Sequence, residues 1–464
     1  MPDLGPYDLL VAGGGNAAMC AAISAAERGL KVLVCEAAPI GVRGGNSRHV
    51  RNHRAAHDAP TDYLTDAYTV DEYMDDLMRV TGGKTNEKLA RMCIDESRHI
   101  ARWMGERGVR FQSALGGTLS LGRTNPFFLG GGKALLNALY RRAERHGVHV
   151  LYDTEVTGMD IEDGFFTAAH VRSQGFERVV KARALVTASG GFQANLEWLE
   201  EAWGPAARNF TVRGTEYAMG GLLKGLLSAG MNRVAEADQC HAIALDARAP
   251  KFDAGIVSRI DSVPVSIMVN RDGDRFYDEG EDFWPKRYAI WGRLIAKQPD
   301  QIAYSVLDAK ALPQFMPALW PPIQSETIEG LAEAVGLDGP KLARTVADYN
   351  AACQGGSFDK TAHDGCRTQG LSPDKTNWAQ RIDQPPYYLF PMRPGITFTY
   401  MGVEVDETAK VQMADGRPTA NIWAAGEIMA GNILGQGYLA GIGITIGTVF
   451  GLKAGESAAG YVRN

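Results

Sequence analysis

The feature that most constrains this chain is the run Gly13-Gly14-Gly15-Asn16-Ala17-Ala18, a match to G-x-G-x-x-[GA]. Alone, such a match is weak. Here it follows an apolar run, Tyr7 to Ala12, and opens an alanine-rich stretch, Ala17 to Arg28, which Gly29 ends as a left-handed cap. Lys31 to Cys35 then reads as a buried strand. Strand, glycine turn, helix and strand together make the nucleotide-binding half of an α/β fold. Gly13 allows the tight turn. Gly15 lets the backbone, with Asn16 and Ala17, approach a diphosphate at the helix N-terminus, and Ala18 is small enough for close helix–strand packing. Glu36, with Ala37 behind it, ends the second strand, where a carboxylate takes a ribose hydroxyl.

Composition supports this. Glycine is 54 of 464 residues, above the usual ~7%, while proline is ordinary at 21. Extra glycine without extra proline means backbone that turns tightly or lies against something. Twelve of these glycines fall between Gly395 and Gly455. The formal charge, 48 − 54 = −6, argues against a nucleic-acid partner. No apolar run reaches the ~18 residues of a transmembrane segment, and Met1 to Pro6 has no leader-like pattern. Six scattered cysteines form no CxxC pair, so no metal site is expected, and free thiols point to a reducing cytoplasm.

Glycine thins between about 240 and 380, where prolines, tryptophans and irregular turns increase. The expected organisation is a dinucleotide-binding domain built from residues 1–238 and 381–464, with a capping, substrate-selecting domain at 239–380. Asp62 to Glu106 reads as two helices, Ala134 to Arg145 as one, and Val148 to Tyr152 and Ala184 to Ala188 as strands. Val156 is a further candidate cofactor contact.

FAD and NAD share the fingerprint, and the later segments decide between them. Ile422 to Glu427 is a strand followed by small residues and an acid, as where many FAD enzymes return to the flavin. Leu185 to Phe192 is a further strand meeting a glycine pair. With GGNSR at 44–48, ASGGF at 188–192, VNRDGDRF at 269–276, AAGE at 424–427 and GQGYLAGIG at 435–443, the chain resembles the fumarate reductase/succinate dehydrogenase flavoprotein family over nearly its whole length. RGGNSRHVRN at 43–52 and the segment 431–451 carry a closer likeness to the tricarballylate dehydrogenases and to the flavoprotein half of oxygen-dependent precorrin-3B synthases.

That resemblance implies an α/β fold: a Rossmann-like FAD-binding domain from both chain ends and an inserted α+β cap. It implies FAD contacts at Gly44, Gly45, Asn46 and Ser47, with Ser47 near flavin N5. Asn46 stands where some relatives carry the histidine that bonds FAD covalently, so FAD is expected to be non-covalent. Ala188, Ser189 and Gly190 form another expected contact, Gly426 and Glu427 a third. A helix starting near Gly441, Gly443 and Ile444 would point its N-terminus at the flavin, favouring reduced-flavin anion. Gly447, Gly451 and Gly455 continue the stripe on one face and read as helix packing.

The implied chemistry is oxidation or reduction of a C–C bond next to a carboxylate, by hydride transfer at flavin N5. Carboxylates call for cations. Arg43, Arg48, Arg51 and Arg54 with His49 and His53 crowd twelve residues, and Arg48 and Arg51 are candidates for substrate. The resemblance makes His241 a substrate and catalytic candidate, Arg287 a weakly matched proton-shuttling residue, and Thr397 a substrate contact. Phe398 and Tyr438 replace a histidine and an arginine that clamp carboxylate in fumarate reductases, which argues against simple fumarate–succinate chemistry. Tyr438 is a candidate to bind substrate or donate a proton.

The leading expectation is dehydrogenation of a polycarboxylate, such as tricarballylate to cis-aconitate. Alternatives are an oxygen-dependent flavoenzyme on a precorrin-like polycarboxylate, a 3-ketosteroid-type dehydrogenase, and a non-catalytic electron-transfer subunit. Electrons would pass between FAD and oxygen, a quinone or a separate protein, with cytoplasmic placement, peripheral to the inner membrane through a partner.

Overall fold

The structure, a computed structural model, describes residues 6–113 and 121–464. Of the leader reading, Met1 to Gly5 lie outside these. The strands in chain order are β1 (Tyr7–Ala12), β2 (Val32–Cys35), β3 (His149–Leu151), β4 (Thr154–Glu162), β5 (Phe165–Ser173), β6 (Phe176–Thr187), β7 (Thr211–Val212), β8 (Arg233–Val234), β9 (Cys240–Asp246), β10 (Ile267–Asn270), β11 (Ala303–Asp308), β12 (Ile323–Ser325), β13 (Tyr387–Thr399), β14 (Gly402–Val403), β15 (Lys410–Gln412) and β16 (Pro418–Ala424).

The first sheet runs β15-β16-β6-β1-β2-β3. Its centre is parallel: Leu9 pairs with Val32 on one side and Ala184 on the other, and Ile422 pairs with Leu185. Thus the C-terminal segment enters the same sheet as the first strand. β1 and β2 are buried nearly throughout, as parallel strands covered on both faces must be. β4 and β5 extend from β6 as an antiparallel meander.

The first helix, Asn16–Ala26, and the last, Ile442–Arg463, pack tightly together. A Cβ on Gly451 would meet Ala17 O at 2.5 Å, and one on Gly455 would meet Ala21 O at 2.3 Å. Glycines four apart clear one helical face, so these two serve packing.

A second sheet runs β10-β11-β13-β12, with β7 and β9 also on β13. β13 and β7 lie outside 239–380, so this sheet passes both boundaries expected for the cap. β13 begins among β11 and β12 and ends against β9, carrying the second sheet down to the cleft. Asp62 to Glu106 holds three α-helices instead of two, Val70–Thr81, Glu87–Glu96 and Ile100–Glu106. Gly82 and Gly83, both at positive φ, make the first break. Among the described residues no helix is long and apolar enough to cross a membrane.

Candidate functional site

A long cleft opens at the C-terminal ends of β1, β6 and β16, where open α/β sheets hold ligands. Its empty space, open mouth included, is about 1840 Å³.

The chain leaves β1 through Gly13 at φ +113°. A Cβ there would meet Ala188 O at 2.4 Å, and one on Gly14 would meet Glu36 Oε2 at 2.2 Å. Gly15 has nothing nearer than Ser47 Oγ at 3.5 Å, and Gly45 has open space. Two glycines let the protein pack on itself, while two leave room for a ligand. Gly15 caps the first helix without a side chain, so its first N–H groups face the cleft. Ser47 Oγ accepts one of them, from Asn16 at 3.0 Å. Ser47 therefore lies in the cleft beside the first turn of the first helix.

Glu36 lines the cleft, its two oxygens accepting the N–H groups of Ala38 (2.9 Å) and Gly44 (3.0 Å). Each oxygen retains a lone pair for a ribose hydroxyl. Asn46 clamps the loop: Nδ2 donates to Thr397 O at 2.7 Å, and Oδ1 accepts Thr215 N–H at 3.0 Å. Of the other expected cofactor contacts, Asn16, Ala17, Ala37 and Val156 line the cleft, as do Ala188, Ser189 and Gly190. So do Gly426, Glu427, Gly441, Gly443 and Ile444. Ala18 and Gly44 do not: Ala18 is fully buried between helix and sheet, and Gly44 abuts Leu136. Glu427 is buried, and its Oε1 accepts Thr399 N–H at 2.9 Å. Burial pushes its carboxyl up to about 7.

The other end of the cleft has a different lining. β9 and β13 pair so that His241 stands opposite Phe398, with a bulge at Thr397. Bulges re-aim side chains, and Thr397, His241 and Phe398 all line the cleft. His241 is 3% exposed, neither ring nitrogen has a partner among the described residues, and its ring stacks on Tyr438 with centroids 3.8 Å apart. Burial, with Arg213 and Arg259 nearby, holds its pKa well below the usual imidazole range, so the ring is neutral. Tyr438 Oη accepts Gly443 N–H at 3.3 Å. Burial pushes the Tyr438 and Tyr288 phenols up, keeping both protonated.

Three arginines line this end: Arg51, Arg213 and Arg259. Arg259 pairs with Asp261, Nε to Oδ1 at 2.6 Å, and lies over the Tyr288 ring. Burial, reinforced by the neighbouring arginines, holds Arg51 and Arg213 down to about 10.

The arginine-rich loop thus divides. Arg51 and His49 face the cleft. Arg48 does not line it: its guanidinium donates to Val42 O at 3.3 Å and lies 3.6 Å from Asp253. Arg43 lies over Tyr140, and Arg54 bonds Tyr68 and Asp76. His53 is buried between Phe111 and Phe128, which pushes it down to about 3. Arg287 is likewise corrected: it pairs with Glu281 at 2.6 Å, bonds Tyr277, and does not line the cleft. Helical spacing is the reason. Trp284 and Tyr288, four apart, share the face that lines the cleft, and Arg287 is turned away from it. Arg213, Arg259, Trp284 and Tyr288 were not expected from the sequence. Only the four-residue spacing of the last two offered a signal.

A family model described as FAD binding domain matches residues 8–444. The chain is 25% identical over 470 residues to the NADH:fumarate oxidoreductase of Klebsiella pneumoniae (strain 342), covering 98% of this chain and 48% of that protein. It thus spans about half that relative's length. It is 26% identical over 471 residues to a fumarate reductase (cytochrome) of Shewanella frigidimarina, covering 98% of this chain and 77% of the other. In fold it matches the open conformation of a flavocytochrome c3 fumarate reductase with a TM-score of 0.78, at 24% identity, over 99% of this chain and 79% of that one. The open side of Gly15 and Gly45, the exposed first turn of the first helix and the carboxylates of Glu36 and Glu427 fit an extended dinucleotide with a ribose at one end. With these features in one cleft and the match spanning residues 8–444, the chain belongs to the FAD-binding domain family.

Proposed function

We propose that this protein is an FAD-dependent oxidoreductase acting on a C–C bond next to a carboxylate, with a polycarboxylate such as tricarballylate as substrate and cis-aconitate as product. The observation that carries this reading is the continuity of the dinucleotide cleft with a chamber of arginines and aromatic rings. FAD, when bound, supplies the two-electron acceptor or donor for hydride transfer. The first-helix N-terminus, Gly15 and Gly45 would hold its diphosphate, Glu36 a ribose, and Glu427 with Gly441 and Gly443 the far end. Asn46 is committed to Thr397 and Thr215, and FAD is held without a covalent bond. Acid precipitation that leaves flavin on the protein refutes that point.

Arg51 and Arg259 orient substrate carboxylate, and the His241–Tyr438 stack forms a flat wall beside it. Because Tyr438 Oη accepts from Gly443, its own proton is free to point into the cleft. In reduction Tyr438 gives that proton to the substrate carbon. In oxidation the phenol first releases its proton to solvent and the phenolate takes up the proton leaving the substrate carbon, while neutral His241 offers a hydrogen bond without competing as a cation. Buried Trp284, Tyr288 and Phe398 exclude water. Substrate selection falls to the second sheet and its helices, and electrons pass to a separate acceptor, protein or quinone, with the protein cytoplasmic and peripheral to the inner membrane.

The test is an anaerobic screen of di- and tricarboxylates, a precorrin-like polycarboxylate and a 3-ketosteroid, read by loss of flavin absorbance. Bleaching by a triacid supports the reading. Bleaching by the steroid alone sinks it.

A further inference from the structure

We propose that Arg51, Arg213 and Arg259 form a subsite for two negative charges on one substrate molecule, with Arg213 as the residue that sets the requirement for the second charge. This rests on the reading of the cleft as a carboxylate-oxidoreductase site, and it names the feature by which that site selects its substrate.

The inference starts from an imbalance. Arg213 is 7% exposed, its Nε has no hydrogen-bond partner, and it forms no ion pair among the described residues. Its backbone is fixed at both ends: its N–H donates to Ile396 O at 2.9 Å, and its carbonyl accepts Gly255 N–H at 2.9 Å. It cannot easily swing out to solvent. A buried charge without a partner costs several kcal/mol, so a chain that keeps one has a use for it when a ligand arrives. Arg51 lines the same chamber, also without an ion pair among the described residues. Arg259 is the third cation, and Asp261 is its counter-ion. Three positive groups against one negative leave a net charge of +2 on this wall.

No other acid in the cleft neutralises it. Glu36 accepts backbone N–H groups at the opposite end, Glu427 is bonded to Thr399, and Glu155 pairs with Arg172 at 3.3 Å. Asp253 is hydrogen-bonded to His49 at 2.7 Å and has Arg48 as its counter-ion at 3.6 Å. Residues 114–120, Ala-Leu-Gly-Gly-Thr-Leu-Ser, contain no acid. The missing counter-charge must therefore come with the ligand. Two carboxylates supply it, and planar guanidinium groups suit them. One carboxylate leaves Arg213 unpaired, and a neutral ketone leaves both Arg213 and Arg51 so. The His241–Tyr438 stack forms the adjacent wall, giving a carbon skeleton a flat surface while its carboxylates reach the arginines.

The experiment titrates the FAD-loaded protein at constant ionic strength with propionate, succinate, tricarballylate and inorganic phosphate, following perturbation of the visible flavin spectrum. Wild type, Arg213→Gln and Arg213→Lys are compared, with flavin content and thermal midpoint confirming that each is folded. Succinate and tricarballylate are expected to bind wild type at least about tenfold more tightly than propionate. Arg213→Gln is expected to weaken the two polyacids by about 30-fold and propionate by under about threefold, with Arg213→Lys recovering part of the loss. Equal binding of all acids by Arg213→Gln and wild type overturns the subsite. So does a wild type that prefers propionate, or one whose flavin no acid perturbs. Arg213-dependent binding of succinate, tricarballylate or phosphate, with no acid able to bleach the flavin, upholds the subsite and removes the proposed oxidation instead.

Discussion

The two ends of the cleft are built on opposite principles. At the dinucleotide end the protein withdraws its side chains: Gly13 lets the turn close on Ala188, Gly15 and Gly45 leave backbone to do the binding, and N–H groups supply the polarity. At the other end large side chains converge from distant segments. His241 comes from β9, Phe398 from β13, Tyr288 from the turn after a short helix, and the arginines from three separate loops. The first end is local in sequence, so its parts are fixed by short spacings. The second has no such spacing, because each part arrives on a different element. A cofactor shared by a whole family suits the first construction. A substrate that differs between members suits the second, since each side chain can change without breaking the turn.

The sharpest way to break this comparison is at Gly13. Valine there would force a Cβ to within 2.4 Å of Ala188 O at φ +113°. Near-complete loss of bound flavin is expected, read as the ratio of visible to ultraviolet absorbance. Retention of full flavin content would show that the turn tolerates far more than its geometry implies.

Next comes Tyr438→Phe. It keeps the ring stacked on His241 and removes only the hydroxyl. Turnover is expected to fall by roughly 10²–10⁴-fold, as for a lost acid–base group, with flavin content unchanged. A fall below about tenfold would move the proton transfer to another group, with Tyr288 the first to examine.

Glu427 gives a pH-dependent prediction. Burial holds its proton on up to about pH 7 in the folded chain, whereas an unfolded glutamate loses it near ~4.3. Between those values the folded state binds more protons, so this group's contribution is full at the lower pH and is lost as pH rises towards 7. The swing is roughly 4 kcal/mol. In flavin-free protein the thermal midpoint should therefore show a downward component across pH 5–7 that Glu427→Gln abolishes. Identical pH profiles for the two proteins would remove it.

The smallest effects belong to the residues that the structure turns away. Arg287→Gln is expected to change turnover by less than about threefold, since its guanidinium is spent on Glu281 and Tyr277, and His53→Phe to leave KM within about twofold. A large loss of turnover in Arg287→Gln would mean that the segment around Trp284 rearranges when substrate binds.

These contrasts show how much was legible in advance. The turn at 13–18 and Glu36 were readable because strand, turn and helix are contiguous, and the geometry of each position is set by its neighbours. Gly426, Glu427 and Gly441 were readable from a second short pattern. The arginine-rich loop was readable as a cluster but not as a direction: six cationic or titratable groups in twelve residues cannot all face one way. Only Arg51 and His49 face the cleft, while Arg54 is drawn to Tyr68 and Asp76, and His53 to Phe111 and Phe128. Arg213 and Arg259 carried no pattern at all. They matter because β13 ends against β9 and brings the second sheet down to the cleft.

The amino-acid sequence by itself determined the cofactor half: where the backbone turns, where it must be bare, and that both ends of the chain share one sheet. It could do so because backbone conformation is governed by residues a few positions apart. Only the tertiary structure decided which charges face the cleft, that Arg287 is spent elsewhere, and that Arg213 lies buried without an ion pair among the described residues. Long-range packing and the cost of burying charge fix those outcomes, and neither is written in any short stretch of the chain.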